Sequence, residues 1–133
     1  MFYNCTIEKN EDMFIVQFPD MPNIQTFAYS HEEALTMAQE ALESCLESDI
    51  SRGLSIPPPA FTEGYPIPVA NHITLSLLLR ELRGERSQTE IAERLGLSYQ
   101  SYLRLENPRK ANPTIKILER IARIYGRELR ISM

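Results

Sequence analysis

Residues 87–106 read SQTEIAERLGLSYQSYLRLE, and the spacing within this stretch decides how its surroundings are read. Ser87 followed by Glu90 is the residue pair of a helix-opening capping box: the hydroxyl accepts from the backbone three residues on, and the carboxylate reaches back. Ile91, Leu95 and Leu97 supply inward apolar contacts, and Ala92 is small enough for a neighbouring helix to cross closely. Gly96 meets the positive φ of a sharp turn. Ser98 then opens another helix, to about residue 106, whose first residues point outward. Two short helices joined through a glycine turn are the expectation.

Working outward, Asn71 or Thr74 can cap a helix that runs to about Arg83, with Leu75, Leu78, Leu79 and Leu82 inward and Gly84 as its stop. After the quoted stretch, 107–113 is a polar loop. Thr114 caps a last helix to about Tyr125, with Ile117, Leu118, Ile121, Ala122 and Tyr125 inward, and Gly126 ends it. Residues 128–133 alternate polar and apolar and predict a terminal strand. Such a strand has no local partner in a helical domain. Pairing with the same segment of a second chain would satisfy its backbone and hide Leu129 and Ile131, so these two residues are the candidates for dimerisation.

The first half is different in pattern and in charge. Residues 3–8 alternate as a half-buried strand, with Tyr3, Cys5 and Ile7 on one face; 9–12 is a hairpin loop; 14–18 is a second strand and 24–29 a third. Ser30 and Glu33 form another capping box, opening a helix that buries Ala34, Leu35, Ala38, Ala41, Leu42, Cys45 and Leu46 and ends at Gly53. Residues 54–69 hold five prolines and read as an extended connector with a possible edge strand at 65–69. The fold class is α+β: a sheet-plus-helix domain over 1–53, the connector 54–69, and an all-α helix-turn-helix domain over 70–133.

Residues 1–69 carry two basic and eleven acidic side chains, a balance of −9; residues 70–133 carry twelve basic and seven acidic, a balance of +5, and the two together give the net −4. A basic half suits phosphate backbone and an acidic half suits a cationic partner. Cys5 and Cys45 lie in apolar patterns and read as reduced core thiols. His31 and His72 have no neighbour at metal-ligand spacing, so neither metal nor cofactor is expected. No apolar run approaches the ~20 residues of a membrane span, and the N-terminus lacks the basic start and apolar core of a signal peptide, so a cytosolic chain without membrane contact is expected.

The stretch 87–106, with Glu106-Asn107-Pro108-Arg109-Lys110-Ala111-Asn112-Pro113 after it, resembles the phage-repressor type of helix-turn-helix over about residues 71–125. Pro108 stands where glycine is common, and Tyr102 and Leu103 are bulkier than the usual pair. In such a fold the helix after the turn enters the major groove by its N-terminal end. That points to Ser98, Tyr99, Gln100, Ser101 and Arg104: Gln can pair bidentately with adenine and Arg with guanine, and Tyr99 can meet a thymine methyl or a phosphate. Gln88 is placed for a phosphate, and Arg109, Lys110 and Asn112 for the backbone. The competing reading of Arg104 is a solvated arginine or an ion pair with Glu106.

The first half, through Phe18-Pro19-Asp20-Met21-Pro22, Thr26, Ser30-His31-Glu32-Glu33-Ala34, Ala41-Leu42, Gly53 and Ile56-Pro57-Pro58-Pro59, resembles the HicB-type antitoxins. The resemblance implies a partial ribonuclease-H-like domain, a HicA-type mRNA-cleaving toxin as partner, and repression of the shared operon by a C-terminal DNA-binding domain. A ribonuclease H needs carboxylates converging on Mg²⁺, one from mid-strand on the first strand. Here Asn4 and Thr6 occupy the polar positions and Glu8 stands at the end, so no enzyme activity is expected. Glu11 and Asp12 in the loop, and Glu40, Glu43 and Glu47 on the helix, are the candidate toxin contacts. The expected partners are the toxin, double-stranded operator DNA and a second copy of the chain in a homodimer or higher even oligomer. The alternatives are a repressor whose first domain senses a small ligand, without a toxin partner, and a Mg²⁺-dependent nuclease.

Overall fold

The computed structural model describes residues 1–133 and divides into two compact units, Met1–Thr74 and Leu75–Met133. Its elements are β1 (Phe2–Asn10), β2 (Met13–Gln17), β3 (Gln25–Ala28), α1 (His31–Ser51), β4 (Tyr65–Pro68), α2 (Asn71–Arg83), α3 (Gln88–Leu95), α4 (Tyr99–Leu105) and α5 (Ile115–Ile124). No helix is long and apolar enough to cross a membrane.

In the first unit all four strands are antiparallel neighbours in the order β3-β2-β1-β4. Ile7 stands opposite Val16, Phe14 opposite Ala28, and Tyr3 opposite Ile67. Strand alternation therefore gathers Tyr3, Cys5, Val16, Ala28 and Ile67 on one face. Helix α1 covers that face with Ala34, Ala38, Leu42, Leu46 and Ile50, a row at four-residue spacing. Ser30 Oγ accepts from the Glu33 N–H at 3.1 Å, as the capping box predicts. The hairpin turn is tighter than expected. β1 runs on to Asn10, and only Glu11 and Asp12 connect it to β2, with Glu11 at φ 57.

The proline-rich stretch belongs to this unit's body. Tyr3, fully buried, donates its hydroxyl proton to the Pro57 carbonyl. The Asp20 carboxylate accepts from the Ala60 N–H (3.1 Å) and the Phe61 N–H (3.1 and 3.2 Å). Asn4 donates to the Glu63 carbonyl at 2.7 Å. The chain thus arrives at β4 on a fixed path. Gly64 completes that path at φ +78, and a Cβ there would collide with the Cys5 carbonyl oxygen of β1.

The second unit packs α2, α3, α4 and α5 around Leu79, Ile91, Ala92, Leu95, Tyr102, Leu105 and Ile121. Ser87, Ser98 and Thr114 each cap their helix by accepting from the N–H three residues on. One expectation fails here. On α2 Leu79 is buried and Leu75 packs against the core, but Leu78 is 40% exposed and Ser76 is buried. Ser76 is admitted to the interior because its hydroxyl donates to the Leu105 carbonyl at 3.2 Å. Residues 128–133 pair with no strand within the chain, as a segment without a local partner must. Leu129 borders an apolar groove of about 330 Å³ with Leu75, Leu78, Leu82 and Leu118, and Ile131 is 63% exposed.

Gly64 and Gly96 separate two kinds of glycine requirement. Gly96 closes the turn at φ +68, and its Cβ would meet only Arg120 Nη1 at 3.9 Å, so Gly96→Ala should cost about the 1–2 kcal/mol of a left-handed L-residue. Gly64→Ala adds a backbone collision to the same strain, so its loss in urea unfolding should be at least about twice as large. Equal losses would show that β4 does not need this close approach.

Candidate nucleic-acid interface

Helix α4 buries Tyr102 and Leu105 and turns Tyr99, Gln100, Ser101 and Arg104 to solvent. Its orientation comes from its buried residues. The ring of Tyr102 and the side chain of Leu105 enter the core, Leu97 packs against that core, and the Leu97 N–H closes the turn onto the Ala92 carbonyl at 2.9 Å. Arg120 also donates to the Leu95 carbonyl at 2.7 Å, capping the C-terminus of α3 from α5.

The loop after α4 is shaped by Asn107. Its side chain accepts from the Arg109 N–H at 3.0 Å, and its carbonyl accepts from the N–H groups of Lys110 and Ala111. Ser101 and Arg104 of α4 then line one groove of about 330 Å³ with Lys110 and Asn112 of the loop. Two cations and two neutral hydrogen-bonding groups converge there, a set suited to phosphate and base edges. Gln100 and Arg109 are exposed outside this groove. Ser98 is exposed and donates to the Ser101 hydroxyl at 2.8 Å while capping α4.

Glu106 organises the other side of the surface. It is 2% exposed, and Arg83 grips it with Nε to Oε2 at 2.8 Å and Nη2 to Oε1 at 3.0 Å. Gln88 donates to the same carboxylate at 3.3 Å and accepts from the Tyr99 hydroxyl at 3.5 Å. Gln88 is therefore half-buried and tethered at both ends of its amide, between the buried pair and an exposed tyrosine. The pairing of Arg104 with Glu106 does not occur, because α4 buries Glu106 and exposes Arg104. Burial alone would raise the Glu106 carboxyl, but the hydrogen bonds from Arg83 and Gln88 outweigh it and hold the group below the ordinary glutamate value. The Tyr102 hydroxyl lies beside this carboxylate too loosely for a hydrogen bond of standard geometry. Burial, reinforced by the Glu106 charge, makes it a much weaker acid than an ordinary tyrosine.

A family model for the HicB-like antitoxin of bacterial toxin–antitoxin systems matches residues 3–77, and one for helix-turn-helix domains matches residues 79–131. The chain belongs to the HicB antitoxin family. It combines the antitoxin domain with a helix-turn-helix DNA-binding domain. Antitoxin HicB 1 of Photorhabdus laumondii subsp. laumondii is 28% identical over 136 aligned positions, covering 100% of this chain and 87% of the relative. Antitoxin HicB 2 of the same organism is 33% identical over 108 positions, covering 79% of this chain and 77% of the relative.

The acidic candidates lie on two elements. Glu11 and Asp12 make the exposed β1–β2 turn, and Glu40, Glu43 and Glu47 sit on α1. Of the helix residues Glu40 is exposed, whereas Glu43 and Glu47 both face His72. His72 is thus not the isolated side chain that the sequence implied: chain folding closes a gap of 25 residues to Glu47. His31 packs edge-on to Phe14 and Tyr65. Glu8 lies within β1 opposite Ile15, on the sheet face away from α1, and is exposed. Cys5 is a buried free thiol whose pKa burial pushes up to about 11.

The folded Glu106 carboxyl titrates below its unfolded value. Its contribution to stability is complete above the ordinary value of 4.5 and is lost as pH falls through the folded one. Glu106→Gln should lower the stability of this domain at neutral pH by roughly 2–3 kcal/mol, somewhat less than a fully buried broken pair because Arg83 keeps some solvent. It should also flatten the acid limb of stability in urea titrations followed by circular dichroism. An unchanged acid limb would assign it to other carboxylates.

Proposed function

We propose that the chain neutralises a HicA-type, mRNA-cleaving toxin with its acidic unit and represses its own operon with its helix-turn-helix unit, without catalysis and in the cytoplasm. The observation that carries the DNA half is the groove in which Ser101, Arg104, Lys110 and Asn112 converge at the exposed side of α4. Arg104 and Gln100 read base edges, guanine and adenine being their bidentate partners. Tyr99 and Ser98 approach the start of the site. Lys110, Arg109 and Asn112 hold phosphates, and Gln88, fixed by Glu106, orients Tyr99 toward the backbone.

The toxin half rests on family membership and on the acidic balance of residues 1–69. A toxin that binds RNA presents cationic surface, and an acidic antitoxin occupies it in place of RNA. Glu11, Asp12 and Glu40 are the exposed candidate contacts, with Glu43 and Glu47 beside them on α1. A partial ribonuclease-H-like fold belongs to this proposal and is supported by three antiparallel strands followed by a helix on one sheet face. A non-catalytic role belongs to the same proposal: the polar positions within β1 are Asn4 and Thr6, and Glu8 stands opposite Ile15 on the exposed sheet face. A ligand-sensing alternative gains no support from the open, shallow groove on that face, lined by Met13, Ile15, Gln25, Thr26 and Phe27.

Operator binding by one small module is weak, so two copies are proposed to act together. The contact proposed is pairing of residues 128–133 between two copies, which hides Leu129 and Ile131, with the apolar surface of Leu78 and Leu82 beside Leu129.

Arg104→Ala or Gln100→Ala should lose roughly 1–3 kcal/mol of operator affinity and relax base preference, whereas Lys110→Ala should weaken all sequences alike and reduce the salt slope by about one. Equal, sequence-blind losses in gel-shift titrations would mean that α4 does not read bases.

Leu78→Glu in the full chain should yield monomers by sedimentation and weaken operator binding while the toxin still co-purifies. Glu40→Lys should do the reverse. Loss of toxin binding from Leu78→Glu in a folded protein would contradict the division of roles.

A further inference from the structure

We propose that Glu43, Glu47 and His72 form a binding site for a divalent transition metal of the zinc class. Glu43 and Glu47 stand one turn apart on α1, so both carboxylates project from the same helix face. His72 comes from the first turn of α2, within the same unit. Its Nε2 lies 3.0 Å from Glu47 Oε1 and 3.6 Å from Glu43 Oε1. All three side chains are partly buried, and one ligand atom from each can be chosen so that all lie within 4.8 Å of one another.

The geometry is compatible with a metal as well as with the hydrogen bond between His72 Nε2 and Glu47. Ligands about 2.0–2.2 Å from a tetrahedral ion are separated from each other by roughly 3.3–3.6 Å. The 3.6 Å to Glu43 falls in that range, and the 3.0 Å to Glu47 is a few tenths of an ångström short of it. A protonated imidazole has a single hydrogen on Nε2, and one hydrogen cannot serve both carboxylates. With neutral His72 the trio carries a charge of −2, which a divalent cation cancels. The surrounding segment adds to this: residues 1–69 have a balance of −9, and such a field raises the local concentration of cations.

The donor set narrows the choice of ion. Imidazole with two carboxylates suits zinc, cobalt, nickel or manganese, whereas calcium and magnesium prefer oxygen alone. Three protein ligands leave a fourth position for water. The ion would fasten the first turn of α2 to α1, adding to the stability of the antitoxin unit. The site shares Glu43 and Glu47 with the proposed toxin contacts, and its test needs neither toxin nor operator.

The test uses the full chain, stripped with chelator and titrated with Zn²⁺ in a calorimeter, with thermal unfolding followed in parallel. One Zn²⁺ per chain and a higher melting temperature are expected. His72→Gln, which keeps a hydrogen-bond donor near Glu47, should weaken binding at least tenfold, as should Glu47→Gln. His31→Ala and Cys45→Ser should leave it unchanged. Co²⁺ should give visible d–d bands without the thiolate charge-transfer band. Absence of binding, binding indifferent to His72→Gln in a protein of unchanged circular dichroism, or loss of binding in Cys45→Ser would overturn the proposal.

Discussion

A carboxylate taken into an apolar interior must be matched by a cation and by hydrogen-bond donors, or it stays protonated. Glu106 meets that demand through Arg83 and Gln88, and three helices of the DNA-binding unit are tied together in doing so. Arg83 closes α2 and also donates to the Arg86 carbonyl at 3.0 Å, while Arg80, one turn back, donates to the Glu106 carbonyl at 3.1 Å. Gln88 opens α3 and Glu106 caps α4. A pair of apolar residues could supply comparable stability, since desolvation offsets much of the Coulomb gain. What it could not supply is direction. The bidentate grip fixes the C-terminal end of α4 in the same rotation that its buried Tyr102 and Leu105 require, with Arg104 exposed.

The antitoxin unit solves a different problem with the same kind of group. A segment rich in proline lacks N–H donors and cannot hold itself in place through regular structure. Asp20 accepts from two of the N–H groups that follow the prolines, and Tyr3 donates to one of their carbonyls. Tyr3 and Asp20 therefore fasten the segment at Pro57 and at Ala60–Phe61, on either side of the last two of its three consecutive prolines. It delivers the chain to β4, and β4 closes the sheet beside β1.

Local signals were readable and distant pairings were not. Capping serines, glycine stops and apolar periodicity placed α1 and α3 to α5 within a residue or two of their observed bounds, because each is determined within one or two turns of chain. The solvent face of α4 followed from the same periodicity. Arg83 with Glu106, Asp20 with Phe61 and His72 with Glu47 join residues 23, 41 and 25 positions apart, and no spacing rule reaches that far. On α2, Leu78 was read as inward, yet it is exposed while Ser76 is buried, because a hydroxyl with a carbonyl to serve is at home inside. At 128–133 the alternation can become a strand only against a neighbour outside the chain.

The opposed charges of the two halves suit the function proposed above, in which one chain contacts both nucleic acid and a cationic partner. A uniformly acidic chain would repel phosphate, and a uniformly basic one would repel a cationic partner and bind RNA in its stead. Segregating the charge along the sequence lets each unit carry its own field at a net of only −4. Those fields are screened beyond about 8–10 Å at cellular salt, so each acts mainly on what lies against its own surface. Close to that surface the acidic excess also has a cost in self-repulsion, greatest where carboxylates face one another across a helix turn. Glu43 and Glu47 are such a pair, one turn apart on α1, and His72 lies within 3.0 Å of one and 3.6 Å of the other.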